Sequence, residues 1–360
     1  MISIYPGPER DYTVLVRCFT FNQSKYIEDA LNGFVMQQTT FPFVCLVVDD
    51  ASTDGGPEVI KSWMERECDM ADAKHLDIPT ADIIIVPHKT NENCTMAVYF
   101  LKENLFRQRE KKMEHVTPWR EHCRYEALCE GDDYWIDPLK LQKQVNFLDT
   151  HLDYSMCWTD AYQETNNKRQ AYNRYECDCQ SPLVDIIEQG GAFIPTCSIV
   201  IRNMVIESMP SILKSFFVGD YPLQMWCGYV GKCYYFKKQT CVYRYLSQGS
   251  WTLQNFYKCP KEAYLKYFYE EKKIYDTFNR FFDYKYSQSF EKCSANFLFS
   301  LLVWSESYEL LKPYIHLRRK YKMHVGKAII LHAYGFTFIA KIVEFCSVIK
   351  GHLTKQIKSI

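Results

Sequence analysis

The sequence has no surplus of either charge: Lys and Arg number 43, Asp and Glu number 43, and the formal net charge is +0. With no global field to draw in nucleic acid, no nucleic-acid partner is expected, and any charge argument must be local. None of the 16 cysteines pairs with another at Cys-x-x-Cys spacing. The one close pair, Cys177 and Cys179, lacks partners spaced like a zinc site, so structural zinc is not expected. An apolar signal segment is also missing, since Pro6, Glu9, Arg10 and Asp11 come early, and the expectation is a reducing, cytoplasmic setting with free thiols. Val14 to Ser24 offers no glycine-rich phosphate loop, which argues against a sugar nucleotidyltransferase. The uncharged run from Ala328 to Ala340 is too short to span a bilayer.

What is present is an ordinary globular composition, 47% hydrophobic and 24% charged, in 360 residues. That length suits one large domain with an appendage, or two modest domains. The 27 Tyr, 23 Phe and 7 Trp, denser in the second half, suggest an aromatic surface or groove as well as a core.

Short apolar runs alternate with helical patterns. Val14 to Val16 reads as a strand, and Ile27, Ala30, Leu31, Phe34 and Val35 recur at helical spacing after Ser24, a residue able to cap. Val44 to Val48 is apolar at every position, as in a strand buried on both faces, which places Asp49 and Asp50 at its carboxyl end. A second helix is expected from Pro57 through Met64, and a third buried strand at Ile83 to Val86. This order implies right-handed βαβ units. Asn91 to Lys112 reads as helical, with Arg107, Arg109, Lys111 and Lys112 as a solvated helix end or a contact for an anionic acceptor.

Glu130-Gly131-Asp132-Asp133-Tyr134-Trp135 follows the apolar Ala127, Leu128 and Cys129, and precedes Asp137-Pro138, expected to start a helix with Asp137 as its cap. The carboxylates then lie on a solvent-facing strand-to-helix turn at the carboxyl edge of a sheet, where open α/β folds place ligands. Two carboxylates there suit Mg²⁺, which takes one or two from the protein and keeps water and phosphate oxygens. A solvated Asp-Asp turn capping the next helix is the other reading. Tyr154 to Trp158 and Thr196 to Ile201 read as strands, with a polar, irregular excursion between Thr159 and Gln189. Asp220 opens a helix ending near Gly231, as a cap or as something more, and strands are expected at Cys233 to Phe236 and Thr240 to Tyr243.

The block from Glu130 to Trp135, followed by Asp137 to Leu141, resembles the metal-binding motif of family-2 glycosyltransferases, in particular a bacterial branch that makes surface polysaccharides. Asp49 to Gly55 and Thr20 to Gln23 lie in that family's order and rough spacing, and the resemblance runs from Val14 to about Thr252. It implies an α/β GT-A fold, with a mostly parallel nucleotide-binding sheet flanked by helices. It implies an inverting, metal-dependent transfer of a sugar from a nucleotide diphosphate sugar donor to a hydroxyl of a glycan or lipid-linked acceptor. Carried over residue by residue, Asp49 or Asp50 would accept from the nucleobase, with Thr20 and Asn22 lining that pocket. Asp132 would contact the ribose or the metal's water shell, Asp133 would bind Mg²⁺ or Mn²⁺, and Asp220, in Gly-Asp-aromatic-Pro-Leu, would be the catalytic base. Arg244 would lie in the loop over the diphosphate, with Tyr243 to Tyr245 and Gly249 to Thr252. Leu246 stands where many relatives carry a metal-binding His, which leaves the third protein ligand open. A nucleotide-sugar-binding scaffold without turnover is the alternative outside catalysis, and the presence of both Asp133 and Asp220 argues against it.

The division expected is a catalytic domain over 1–255 and a helical region over 256–360. In the latter, a helix from Lys327 to Lys350 would carry a wide apolar face, with Arg318, Arg319, Lys320 and Lys322 before it and Lys355 and Lys358 after it. Such a helix packs on the catalytic domain, pairs with a second copy in an oligomer, or lies on an anionic inner-membrane surface as a peripheral anchor.

Overall fold

A computed structural model of the chain describes residues 6–106, 108–216, 219–248, 250 and 252–344. It divides into two compact units. The first holds the described residues up to Ile186 together with Gly191–Lys214 and Gly219–Leu253; the second holds Ile187–Gly190 and the described residues of 215–218 and from Gln254 onward.

The first unit is built on a 12-stranded sheet. Its strands are β1 (Tyr12–Thr20), β2 (Phe43–Asp49), β3 (Lys74–Ile78), β4 (Ala81–Pro87), β5 (Cys94–Leu101), β6 (Cys123–Leu128), β7 (Tyr134–Trp135), β8 (Tyr154–Thr165), β9 (Lys168–Ala171), β10 (Cys179–Ser181), β11 (Ile199–Arg202) and β12 (Lys232–Arg244). They run in the order β10-β12-β8-β11-β6-β1-β2-β5-β4-β3, with β7 on β12 and β9 on β8. The central β6, β1, β2 and β5 are parallel, and β8 is parallel to β12. β2 and β5 are buried at every residue, as an apolar strand covered on both faces must be.

Helices α1 (Ile27–Val35), α2 (Gly56–Glu67), α3 (Arg109–Glu114), α4 (Thr117–Arg120), α5 (Lys140–Thr150), α6 (Leu183–Gln189), α7 (Asn203–Glu207), α8 (Ser211–Lys214) and α9 (Asp220–Val230) follow in chain order. α1 approaches β7 closely because Gly33 has no side chain: a Cβ there would stand 2.8 Å from the Trp135 nitrogen. Phe34 then meets the Trp135 ring edge-on, 5.0 Å between centroids.

Several expectations are corrected. Asn91 to Lys112 is not a helix, because its apolar, β-favouring half forms β5 and only the last turns form α3. Ile83 to Val86 lies in β4, which pairs antiparallel with β5, so the third parallel strand is β5. The excursion after Thr159 is largely regular, since β8 continues to Thr165 and folds back onto β9. The two strands expected after Gly231 are one, β12, whose register slips between Phe236 and Gln239 and again before Cys241. Thr196 to Ser198 is a single 3₁₀ turn and the strand begins at Ile199. Asp137 holds the Leu139 N–H at 3.1 Å, but the helix it precedes starts at Lys140.

The second unit is helical: α10 (Lys261–Phe281), α11 (Ser287–Cys293), α12 (Phe299–Trp304), α13 (Lys312–Lys320) and α14 (Lys327–Ala333). Phe268, Ile274, Phe278, Phe290, Leu301 and Leu302 are among its buried apolar side chains. The continuous helix expected from Lys327 is broken: Gly335, with φ +87, donates to His332, and helix resumes over 337–344. Lys350, Lys355 and Lys358 lie outside the described residues. Among the described residues no helix is long and apolar enough to cross a membrane.

Candidate active site

Three loops meet at one edge of the sheet because the register puts the ends of β1, β2 and β6 together. Thr20 pairs with Asp49 between β1 and β2, and Arg17 with Leu128 between β1 and β6. The turn after β6 stays in step with β1, as Cys129 and Gly131 donate to the carbonyls of Arg17 and Phe19 at 3.1 and 2.9 Å. Gly131 is required by this approach, since a Cβ would stand 2.6 Å from the Thr20 hydroxyl.

The first two loops are cross-braced. Asn22, with φ 54, donates its N–H to the Ser52 hydroxyl at 2.9 Å and accepts from the Thr53 N–H at 2.8 Å. Asp49 accepts from the Ser52 N–H at 3.0 Å, and burial raises its proton affinity. Asp50 is turned inward: Oδ1 takes the Leu105 N–H at 2.6 Å and Oδ2 is ion-paired with Lys112. Lys112, expected on a solvated helix end, is therefore buried as the counter-charge of Asp50. Arg107 and the Arg109 side chain lie outside the described structure.

Asp132 and Asp133 are 9% and 2% exposed, which corrects the solvent-facing turn. Asp133 Oδ1 accepts from the Arg244 N–H at 2.8 Å, and Asp132 Oδ2 from the Ser247 hydroxyl at 2.7 Å. The Arg244 guanidinium donates to the Asp132 carbonyl at 3.0 Å, pairs with Asp29 and Glu164, and lies 4.2 Å from the centroid of the Tyr134 ring. Gly249 and Trp251 of the same segment lie outside the described residues, and Leu246 adopts φ 60.

Burial raises the proton affinity of both acids, and for Asp133 the charge of Asp132 adds to the effect. Glu130 is pushed up to about 7 by burial, with Arg17 opposing and Asp132, then Asp220, reinforcing. Behind it, Arg120 and Arg17 hold the buried Glu126 carboxyl at about 2 against the rise that burial alone would cause. Two like-charged carboxylates, desolvated and adjacent, are a hard-oxygen donor pair that a divalent cation fits. Among the described residues no group of three His, Cys, Asp or Glu side chains could hold a metal ion.

Asp220 starts α9 half-buried; Oδ1 accepts from the Tyr221 N–H at 2.8 Å and Oδ2 from the Thr196 hydroxyl at 3.4 Å. Its charge is felt at Glu130, so base candidate and acidic turn share one electrostatic neighbourhood. Sequence reasoning assigned no role to Glu130, Glu164, Ser247 or Thr196. Glu164 could only have been found from the pairing of β8 with β12, where it faces Arg244 in register.

In sequence, the chain is 35% identical over 139 residues to the uncharacterized protein Rv1520 of Mycobacterium tuberculosis and, equally, to Mb1547 of Mycobacterium bovis. Each match covers 39% of this chain and 32% of the relative, so the chain spans about a third of the curated relatives it matches. No family model matches the chain. Among solved structures it is similar to S. aureus TarS 1-349 in complex with UDP-GlcNAc, at 14% identity over 86% of this chain and 91% of that one, TM-score 0.47. It is also similar to the mannosyltransferase PcManGT from Pyrobaculum calidifontis in complex with GDP-Man and Mn2+, at 13% identity over 95% and 89%, TM-score 0.49.

Proposed function

We propose that the chain is an inverting GT-A glycosyltransferase of the family-2 type, moving a hexose from a nucleotide diphosphate sugar to a hydroxyl of a glycan or lipid-linked acceptor in surface polysaccharide synthesis. The observation that carries the reading is the buried Asp132 and Asp133 pair, tied through Arg244 to the end of β12, in the electrostatic reach of a second acid, Asp220.

Asp49 with Thr20 and Asn22 forms the nucleobase side of the site. Asp50 supports it from behind, its own carboxylate being taken up by Lys112 and Leu105. Asp133, with Asp132, would hold Mg²⁺ or Mn²⁺, a group that offsets the charge accumulating on a departing diphosphate. Arg244 adds a cation on the same side. Asp220 takes the proton from the acceptor hydroxyl as its oxygen bonds to the anomeric carbon and the bond to the phosphate oxygen breaks; one displacement inverts the centre.

Exposed Phe336, Phe338, Ile339 and Ile342, with Lys341 in the same segment, would hold the second unit on the anionic inner face of the cell membrane, where a lipid-linked acceptor is presented.

Asp220→Asn tests the reading, because it keeps shape and the contact with Tyr221 but cannot take a proton. Expected is near-normal donor affinity with turnover lowered about 10²-fold or more. Turnover within a few-fold of wild type would reduce Asp220 to a helix-start residue.

A further inference from the structure

The short turn between α6 and β11 links the two acids of the site. Thr196–Ser198 is one 3₁₀ turn entered from Pro195, whose φ of −61 is fixed by its ring. It is closed on itself: the Ser198 N–H and hydroxyl both donate to the Pro195 carbonyl, at 2.9 and 2.6 Å. It is also clamped from outside. Trp135 Nε1 donates to the Cys197 carbonyl at 2.8 Å, and Gln144 Nε2 to the Ser198 carbonyl at 3.0 Å. Trp135 is two residues from Asp133, and the Cys197 thiol lies against the Asp133 carboxylate, so the turn is held in register with the acidic pair. On its other side Thr196 reaches Asp220.

The Asp220 carboxylate has two oxygens with different neighbours. Oδ1 is held by the Tyr221 N–H, which ties it to the start of α9; Oδ2 accepts from the Thr196 hydroxyl at 3.4 Å.

Resting on the reading of Asp220 as base, we propose that Thr196 is a positioning residue: carried on a turn clamped to the segment bearing Asp133, its hydroxyl orients Asp220 Oδ2 toward the acceptor.

The test is a double-mutant cycle on the full chain, following release of UDP from UDP-GlcNAc or GDP from GDP-mannose, whichever the wild type turns over. Thr196→Val is expected to lower kcat about tenfold with the donor KM within twofold, and Thr196→Ser to restore kcat to within about threefold. In the Asp220→Asn background, Thr196→Val should cost less than about twofold, because a residue acting through another is silent once the other is disabled. Equal losses in both backgrounds, or Thr196→Ser as impaired as Thr196→Val, would overturn the proposal. Should Thr196→Val fail to fold, Thr196→Ala compared with Thr196→Ser carries the same two outcomes. An Asp220→Asn enzyme at wild-type rate would instead refute the base itself, a result separable from either.

Discussion

The backbone N–H of Arg244 donates to Oδ1 of Asp133 at 2.8 Å, although 111 residues separate them. The acid that would hold a cation is thus secured by the last residue of β12, and the Arg244 guanidinium closes on the neighbouring Asp132 carbonyl. On the proposed reading, donor binding would be coupled to the segment after β12 through this contact and through that of Ser247 with Asp132.

Replacing Asp133 with Ala should abolish the divalent-cation dependence of nucleotide diphosphate binding without lowering the melting temperature. The carboxylate is buried beside a like charge, so its loss removes a desolvation cost along with one hydrogen bond. Calorimetry with UDP or GDP, with and without Mn²⁺, alongside a thermal melt, checks both halves; retained cation dependence would reject the assignment.

Lys112→Met should be among the most damaging changes away from the acids, costing about 3–5 kcal/mol, because it strands Asp50 as an unpaired buried charge. Adding Asp50→Asn should recover part of that loss, read as a shift in urea midpoint at constant slope. A Lys112→Met chain as stable as wild type would show that the pair is not the support described.

Glu130 gives a pH test with a definite sign. Its folded value of about 7 lies above the usual value of 4.5, so the folded state binds the proton more tightly and the stabilisation is fully present below pH 4.5. It is lost as pH rises toward 7, by about 3 kcal/mol at most. Asp132 and Asp133 shift in the same sense. Compared with wild type, Glu130→Gln should therefore gain relative stability between pH 4.5 and 7, measured by denaturant titration in the presence of chelator. Parallel stability curves for the two proteins would remove Glu130 from the account.

Full-length protein should sediment with vesicles containing anionic phospholipid at low salt, and Phe336→Ser with Phe338→Ser should release it while leaving donor turnover unchanged. Phe336 and Phe338 are 55% and 77% exposed, so their loss should not unfold the unit. Binding of the double variant equal to wild type would place the exposed face in some other role.

Much of this architecture is legible from residue order alone. Val44 to Val48 announces a doubly buried strand because apolar side chains at every position have no solvent face to serve, and the turn from Glu130 to Trp135 stands out because two adjacent acids follow an apolar run. Asn91 to Lys112 misleads because an apolar run leading into charges fits a helix pattern as well as a strand followed by a helix. The burial of Asp132 and Asp133 is hidden for another reason: it depends on Ser247 and Arg244, which reach the turn only through pairing of β12 with β7 and β8. Asp50 and Lys112 likewise find each other across 62 residues, and no local pattern in either segment distinguishes an internal ion pair from a solvated charge.

β12 is threaded between β8 and β10 and also caps β7, yet it is the last strand of the sheet to be synthesised. Chain emerging from a ribosome therefore presents β1, β2, β5 and β6 long before the residue that secures Asp133 exists. Until Arg244 has emerged, β8 has an open edge and the acidic turn has no backbone donor from that side, a stage at which strand edges are prone to pair with other chains. On the proposed reading, competence to bind donor should arrive only once Arg244 has been made, and a stalled chain ending before β12 should be recognised by chaperones rather than by nucleotide sugar.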